Sequence, residues 1–149
     1  MSKLTHLDDA GAAHMVDVSA KAVTKREATA AGHIAMSPEA LSAIREGALK
    51  KGDALGVARV AGIMAAKRTS ELVPLCHPLS LTGIEVRIEI DDSLPGFRIC
   101  AEVRTKAETG VEMEALTAVA VAGLTLFDML KAIDRTMAIG GIEVTSKTK

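Results

Sequence analysis

The sequence predicts an α+β fold, an antiparallel sheet with helices packed on one face, and three observations lead there. Ile84, Val86, Ile88 and Ile90 alternate with charged residues, and after Leu94-Pro95-Gly96 the series Phe97, Ile99, Ala101 and Val103 alternates with Arg98, Cys100, Glu102 and Arg104. That pattern is an antiparallel hairpin with one wet face. Residues 111–135 form a long Ala/Val/Leu/Met segment, most simply a buried helix. The predicted order ββ, αα, ββ, α, β then layers helices on a sheet. With 149 residues, 48% hydrophobic and 25% charged, residues 1–149 fit one domain able to bury a core.

Taken in order, residues 1–13 read as a polar, mobile arm. Residues 14–18 alternate weakly and residues 24–36 mix β-branched and polar types, which predicts two modest strands. Ser37-Pro38-Glu39 is a helix entry, with a hydroxyl cap, Pro at the first position and an acid at the positive dipole end. That helix is expected to reach about Lys50. Asp53 caps the next, in which Leu55, Val57, Val60, Ile63 and Met64 recur at helical spacing, while Ala58, Ala61, Gly62, Ala65 and Ala66 leave one side thin enough for close approach. Pro74 and Pro78 stiffen the connector between them. Residues 139–145 read as the last strand.

Eighteen Lys plus Arg against nineteen Asp plus Glu leave a net charge of −1, so no global field favours nucleic acid or an anionic membrane. With two Phe, no Tyr and no Trp, base-stacking platforms are absent. Cys76 and Cys100 form no disulfide framework or four-Cys zinc site, which suits a reducing cytoplasm. Residues 115–127 are too short to span a bilayer and are bracketed by Glu114 and Asp128, so a soluble protein is expected. A mean hydropathy of +0.25 with so few aromatics suggests apolar surface shared between subunits.

Glu112, Glu114, Asp128, Lys131 and Asp134 sit in the long apolar helix, where unpartnered burial would be costly. Asp128 and Lys131, three apart, share a face; they form either a solvated ion pair or a proton-transfer pair. Glu114 and Asp128 lie roughly 21 Å apart on one helix. They therefore serve different pockets, or symmetry-related chains bring opposite helix ends together. His77, framed by prolines, is an acid, base or phosphate donor, or a histidine satisfied within its turn. Metal-ligand spacing is weak. Lys50-Lys51, Lys67-Arg68 and Lys147 with Lys149 are solvated ends or the scattered cations a polyphosphate would need, since no Gly-rich phosphate loop is present.

The runs Val73-Pro74-Leu75-Cys76-His77-Pro78, Thr109-Gly110-Val111-Glu112-Met113-Glu114-Ala115-Leu116-Thr117 and Phe127-Asp128-Met129-Leu130-Lys131-Ala132-Ile133 resemble the MoaC family of molybdenum cofactor biosynthesis, the cyclic pyranopterin monophosphate synthases. Supporting matches at residues 14–18, 51–53 and 66–69 fall in the same order. The resemblance implies a lyase that converts 3′,8-cyclo-7,8-dihydro-GTP, supplied by an upstream radical-SAM enzyme, into cyclic pyranopterin monophosphate with release of pyrophosphate. By matching position, Asp128 and Lys131 resemble the acid/base pair and Lys51 a cation directed at substrate. Leu75, Cys76, His77, Glu112, Met113 and Glu114 resemble the pocket wall, with Lys67, Arg26 and Lys147 as supporting phosphate or loop contacts.

The same resemblance implies a ferredoxin-like fold and a hexamer built as a trimer of dimers, with sites at subunit interfaces. No resident cofactor or metal is expected beyond Mg²⁺ carried by the substrate phosphates. Two departures stand out: Glu108 occupies a position that is usually Lys, and Ala107 one that is usually Gly. The family's Gly-rich stretch after Lys147 is not among these residues. The alternative is a non-catalytic oligomer that carries or senses a purine nucleotide.

Overall fold

A computed structural model describes residues 3–47 and 53–149. Its elements are β1 (Thr24–Ala35), α1 (Pro38–Glu46), α2 (Asp53–Lys67), α3 (Thr69–Leu72), β2 (Leu81–Asp91), β3 (Gly96–Ala107), α4 (Glu112–Leu130) and β4 (Ala138–Thr148). The sheet order is β2-β3-β1-β4, with every neighbouring pair antiparallel. This is the split βαβ order of a ferredoxin-like α+β fold.

Register follows from the alternation. Ile84, Val103 and Ala28 form one row across β2, β3 and β1; Val86, Ala101 and Ala30 form the next, then Ile88, Ile99 and Gly32, then Ile90, Phe97 and Ile34. A one-residue slip would turn the whole set to water. The hairpin closes where Asp91 accepts from the Ser93 amide at 2.9 Å and pairs with Arg98. Gly96 has a φ of +153°, and a side chain there would strike the Ile34 carbonyl.

The central strand is deliberately thin. Ala28, Ala30 and Gly32 are buried under α4, and a Cβ on Gly32 would come within 2.8 Å of Val119 Cγ1. α2 behaves alike: Gly62 stands over the Ala118 carbonyl of α4, 3.0 Å from where its Cβ would lie. Ala54, Ala58, Ala65 and Ala66 are buried, whereas Val57, Val60 and Met64 are exposed. Val57, Val60 and Met64 thus point outward while Leu55 and Ile63 pack against the core beside the small residues, so α2 carries apolar side chains on both faces.

Ser37 caps α1 by accepting from the Ala40 amide at 3.1 Å, with Pro38 at the first helical position, as its sequence requires. Within the described residues α1 ends at Glu46; the predicted end near Lys50 lies outside them. Residues 14–18 form no strand, because they join no ladder among the described residues; the arm instead folds on itself, with the His14 amide donating to the His6 carbonyl at 2.9 Å and Asp8 accepting from the Ala10 and Ala12 amides. α4 stops at Leu130 rather than Arg135, since Asp134 takes the Thr136 amide at 2.8 Å and the Ser37 amide at 3.4 Å, turning the chain away. The single turn α3 was not predicted, and β4 extends beyond residues 139–145 at both ends. α4 is long and apolar enough to cross a membrane by length and composition. Its Ala115, Ala118, Val119, Ala122 and Leu126 are wholly buried in the core, which makes it the central helix of the fold.

Candidate active site

A cavity of about 570 Å³ opens at the N-terminal end of α4. Three segments meet there: the proline-framed connector with Leu75, Cys76 and His77; the turn at Thr109 and Gly110 with Glu112 and Met113; and the arm, through Thr5, His6, Val16, Val18 and Lys21. Glu112 folds back over Gly110, whose missing side chain leaves room for its carboxylate. Glu112 Oε1 is buried without a hydrogen-bond partner, 3.8 Å from Lys147 Nζ on β4.

Glu114 stands behind this wall, 3% exposed, and its Oε1 also lacks a partner. Its Oε2 accepts from the Cys76 thiol at 3.8 Å. Burial raises the Glu114 carboxyl above the ordinary glutamate range, only partly offset by the helix backbone and the thiol. Burial, then the neighbouring Glu114 charge, pushes the Cys76 thiol up to about 11, so it stays protonated near neutrality. The Val16 carbonyl accepts from His77 Nε2 at 2.6 Å. Because a carbonyl only accepts, that ring nitrogen carries the proton.

The other predicted residues lie elsewhere in the single chain. Asp128 and Lys131 pair at 3.0 Å at the far end of α4, with side chains 74% and 55% exposed. Lys67 is exposed at the end of α2. Arg26 is buried; its Nε donates to the Ala107 carbonyl at 3.1 Å and its Nη2 to the Ala22 carbonyl at 3.4 Å, so it braces the strand leading to Thr109. Lys51 lies outside the described residues. Among the described residues no cluster of three or more His, Cys, Asp or Glu could hold a metal ion.

The arm's share of the cavity, Lys21 above all, escaped sequence reasoning. Only the weak alternation at residues 14–18 hinted at it: Val16 and Val18 are half-buried while Asp17 is exposed. A smaller hollow on the outer sheet face, about 360 Å³, is lined by Arg87, Glu89, Arg98 and Glu143; its two arginines are already paired, Arg87 with Glu85 and Arg98 with Asp91.

A model of the MoaC family matches residues 15–149, which takes in every cavity segment except the first arm residues. The chain belongs to the MoaC family. This MoaC chain is 63% identical over 148 residues to a protein of Methylobacterium sp. (strain 4-46) named cyclic pyranopterin monophosphate synthase, covering 99% of this chain and 92% of that one. A protein of the same name from Brucella ovis is 59% identical over 146 residues, covering 98% and 88%. The residues that resemble the family's pocket wall therefore stand around one cavity, while those that resemble its acid/base pair stand at the other end of α4.

Proposed function

We propose that this MoaC-family chain is a cyclic pyranopterin monophosphate synthase, a lyase of molybdenum cofactor biosynthesis that converts 3′,8-cyclo-7,8-dihydro-GTP into its product and pyrophosphate. The observation that carries the reading is 63% identity, over 99% of the chain, to a protein of that name. The cavity supports it chemically: a thiol, an imidazole, the Glu112 carboxylate and the cation Lys21 line a space of about 570 Å³, with the buried Glu114 carboxyl behind its wall and Lys147 beside Glu112, suited to proton transfer on a polyanionic ligand.

In this reading the working site is shared between copies. Glu114 and Asp128 are separated by fourteen helical rises, roughly 21 Å, so the cavity of one chain takes Asp128 and Lys131 from a neighbour, with Lys51 as a further cation directed at the substrate. The outward Val57, Val60 and Met64 of α2, with Leu124 of α4, are 47–59% exposed and offer apolar surface for the assembly. A hexamer built as a trimer of dimers is the expected form, in the cytoplasm, fed by a radical-SAM enzyme. Any Mg²⁺ arrives on the substrate phosphates.

The test is turnover of 3′,8-cyclo-7,8-dihydro-GTP by purified protein, following pyrophosphate and pterin product, with folded Lys51→Ala and Asp128→Ala alongside. Product from wild type and none from either variant is expected. Tight binding without product from wild type would replace this reading with the carrier alternative.

A further inference from the structure

Residues 3–21 carry no ladder to the sheet; their backbone bonds are internal, such as Asp8 to Ala12 at 2.9 Å and His14 to His6 at 2.9 Å. Among the described residues, one hydrogen bond joins this segment to the rest of the chain, from His77 Nε2 to the Val16 carbonyl. Yet five of its side chains line the cavity. We infer that residues 3–21 are a strap forming one wall of the ligand site, that His77 is the positioning residue that latches it, and that Lys21 is an additional anion-binding group. The inference deepens the proposed function and rests on it for the ligand, a purine nucleoside triphosphate or its cyclised relative.

The chemistry is consistent throughout. Of the strap's contributions, Val16 and Val18 are half-buried and apolar, suited to the face of a heterocycle, whereas Lys21 is exposed and cationic at the cavity rim. Glu112 is the acidic residue on the opposite wall, already beside Lys147. A polyanion entering this space therefore meets the Lys21 ammonium, which arrives only when the strap is seated. A segment held by one hydrogen bond and two half-buried valines opens at modest cost, and a ligand touching it when closed favours the closed state.

The test is hydrogen exchange of the full-length protein, with and without GTP, for wild type, His77→Ala, His77→Gln and Lys21→Ala. Loss of the latch is expected to speed exchange in residues 3–21 at least about fivefold, while β3 stays protected. His77→Gln, whose amide N–H takes the place of Nε2, is expected to restore slow exchange. Saturating GTP is expected to slow strap exchange in wild type, and Lys21→Ala to weaken GTP binding about tenfold without loosening the strap. If His77→Ala also loses β3 protection, His77→Phe, which keeps a ring and lacks the donor, carries the same comparison. Unchanged strap exchange in the donor-less variant, no effect of GTP on wild type, or undiminished GTP affinity in Lys21→Ala overturns the inference. Absent turnover would instead overturn the proposed function, since the latch comparison without GTP does not depend on catalysis.

Discussion

The Cys76 thiol donates to Glu114 Oε2 at 3.8 Å, so a buried carboxyl beside the cavity has a sulfur rather than a cation as its side-chain partner. Pairing a carboxylate with Lys or Arg would favour its charged form; a thiol compensates burial only in part. The pair therefore holds its protons more tightly than either group does in water.

For Glu114 the sign is definite. Its pKa is raised on folding, so above the ordinary value of 4.5 the folded state binds more protons than the unfolded one, and stability falls as pH rises through the raised value. Glu114→Gln removes that loss. Unfolding curves measured across pH 4 to 8 are expected to show the variant gaining on wild type as pH rises; a constant difference would contradict the assignment.

Cys76 gives an independent readout. With its thiol at about 11, alkylation in a Cys100→Ser background is expected to be slow at neutral pH and to rise about tenfold per pH unit below that value. Glu114→Gln removes a neighbouring charge that disfavours the thiolate, and is expected to speed the reaction at fixed pH.

The Asp128–Lys131 pair separates stability from activity. Both side chains are more than half exposed, so Asp128→Ala is expected to cost no more than about 0.5 kcal/mol in unfolding free energy. Turnover is expected to fall by about a hundredfold or more. If sites are shared across an interface, mixing subunits of two inactive variants, Asp128→Ala and Glu112→Ala, restores about a quarter of wild-type activity through intact hybrid sites. No recovery in verified mixed oligomers would show each site to be built from a single chain.

Arg26 is the opposite case. Its guanidinium is buried on the Ala107 and Ala22 carbonyls, and Arg26→Ala is expected to destabilise the fold by about 2 kcal/mol, read as a lowered Tm. An unchanged Tm with a raised KM would assign it to ligand contact instead.

The sequence alone settled what repeats locally. Two-residue alternation marked β2 and β3, Ser37 and Pro38 marked the start of α1, and the small residues of α2 marked a face that α4 approaches closely, because each signal lies within one element and its cause is steric or solvation-driven. Where α4 stops was less legible, since Asp134 competes for backbone amides through its side chain. Residues 14–18 alternate like a strand yet join no sheet ladder among the described residues, because alternation records a half-buried surface and not what buries it. The site needed the tertiary structure for the same reason. His77 meets Val16 across 61 residues, Cys76 meets Glu114 across 38, and Arg26 meets Ala107 across 81. No local spacing encodes such meetings; chain topology brings these groups together, and burial then sets their protonation.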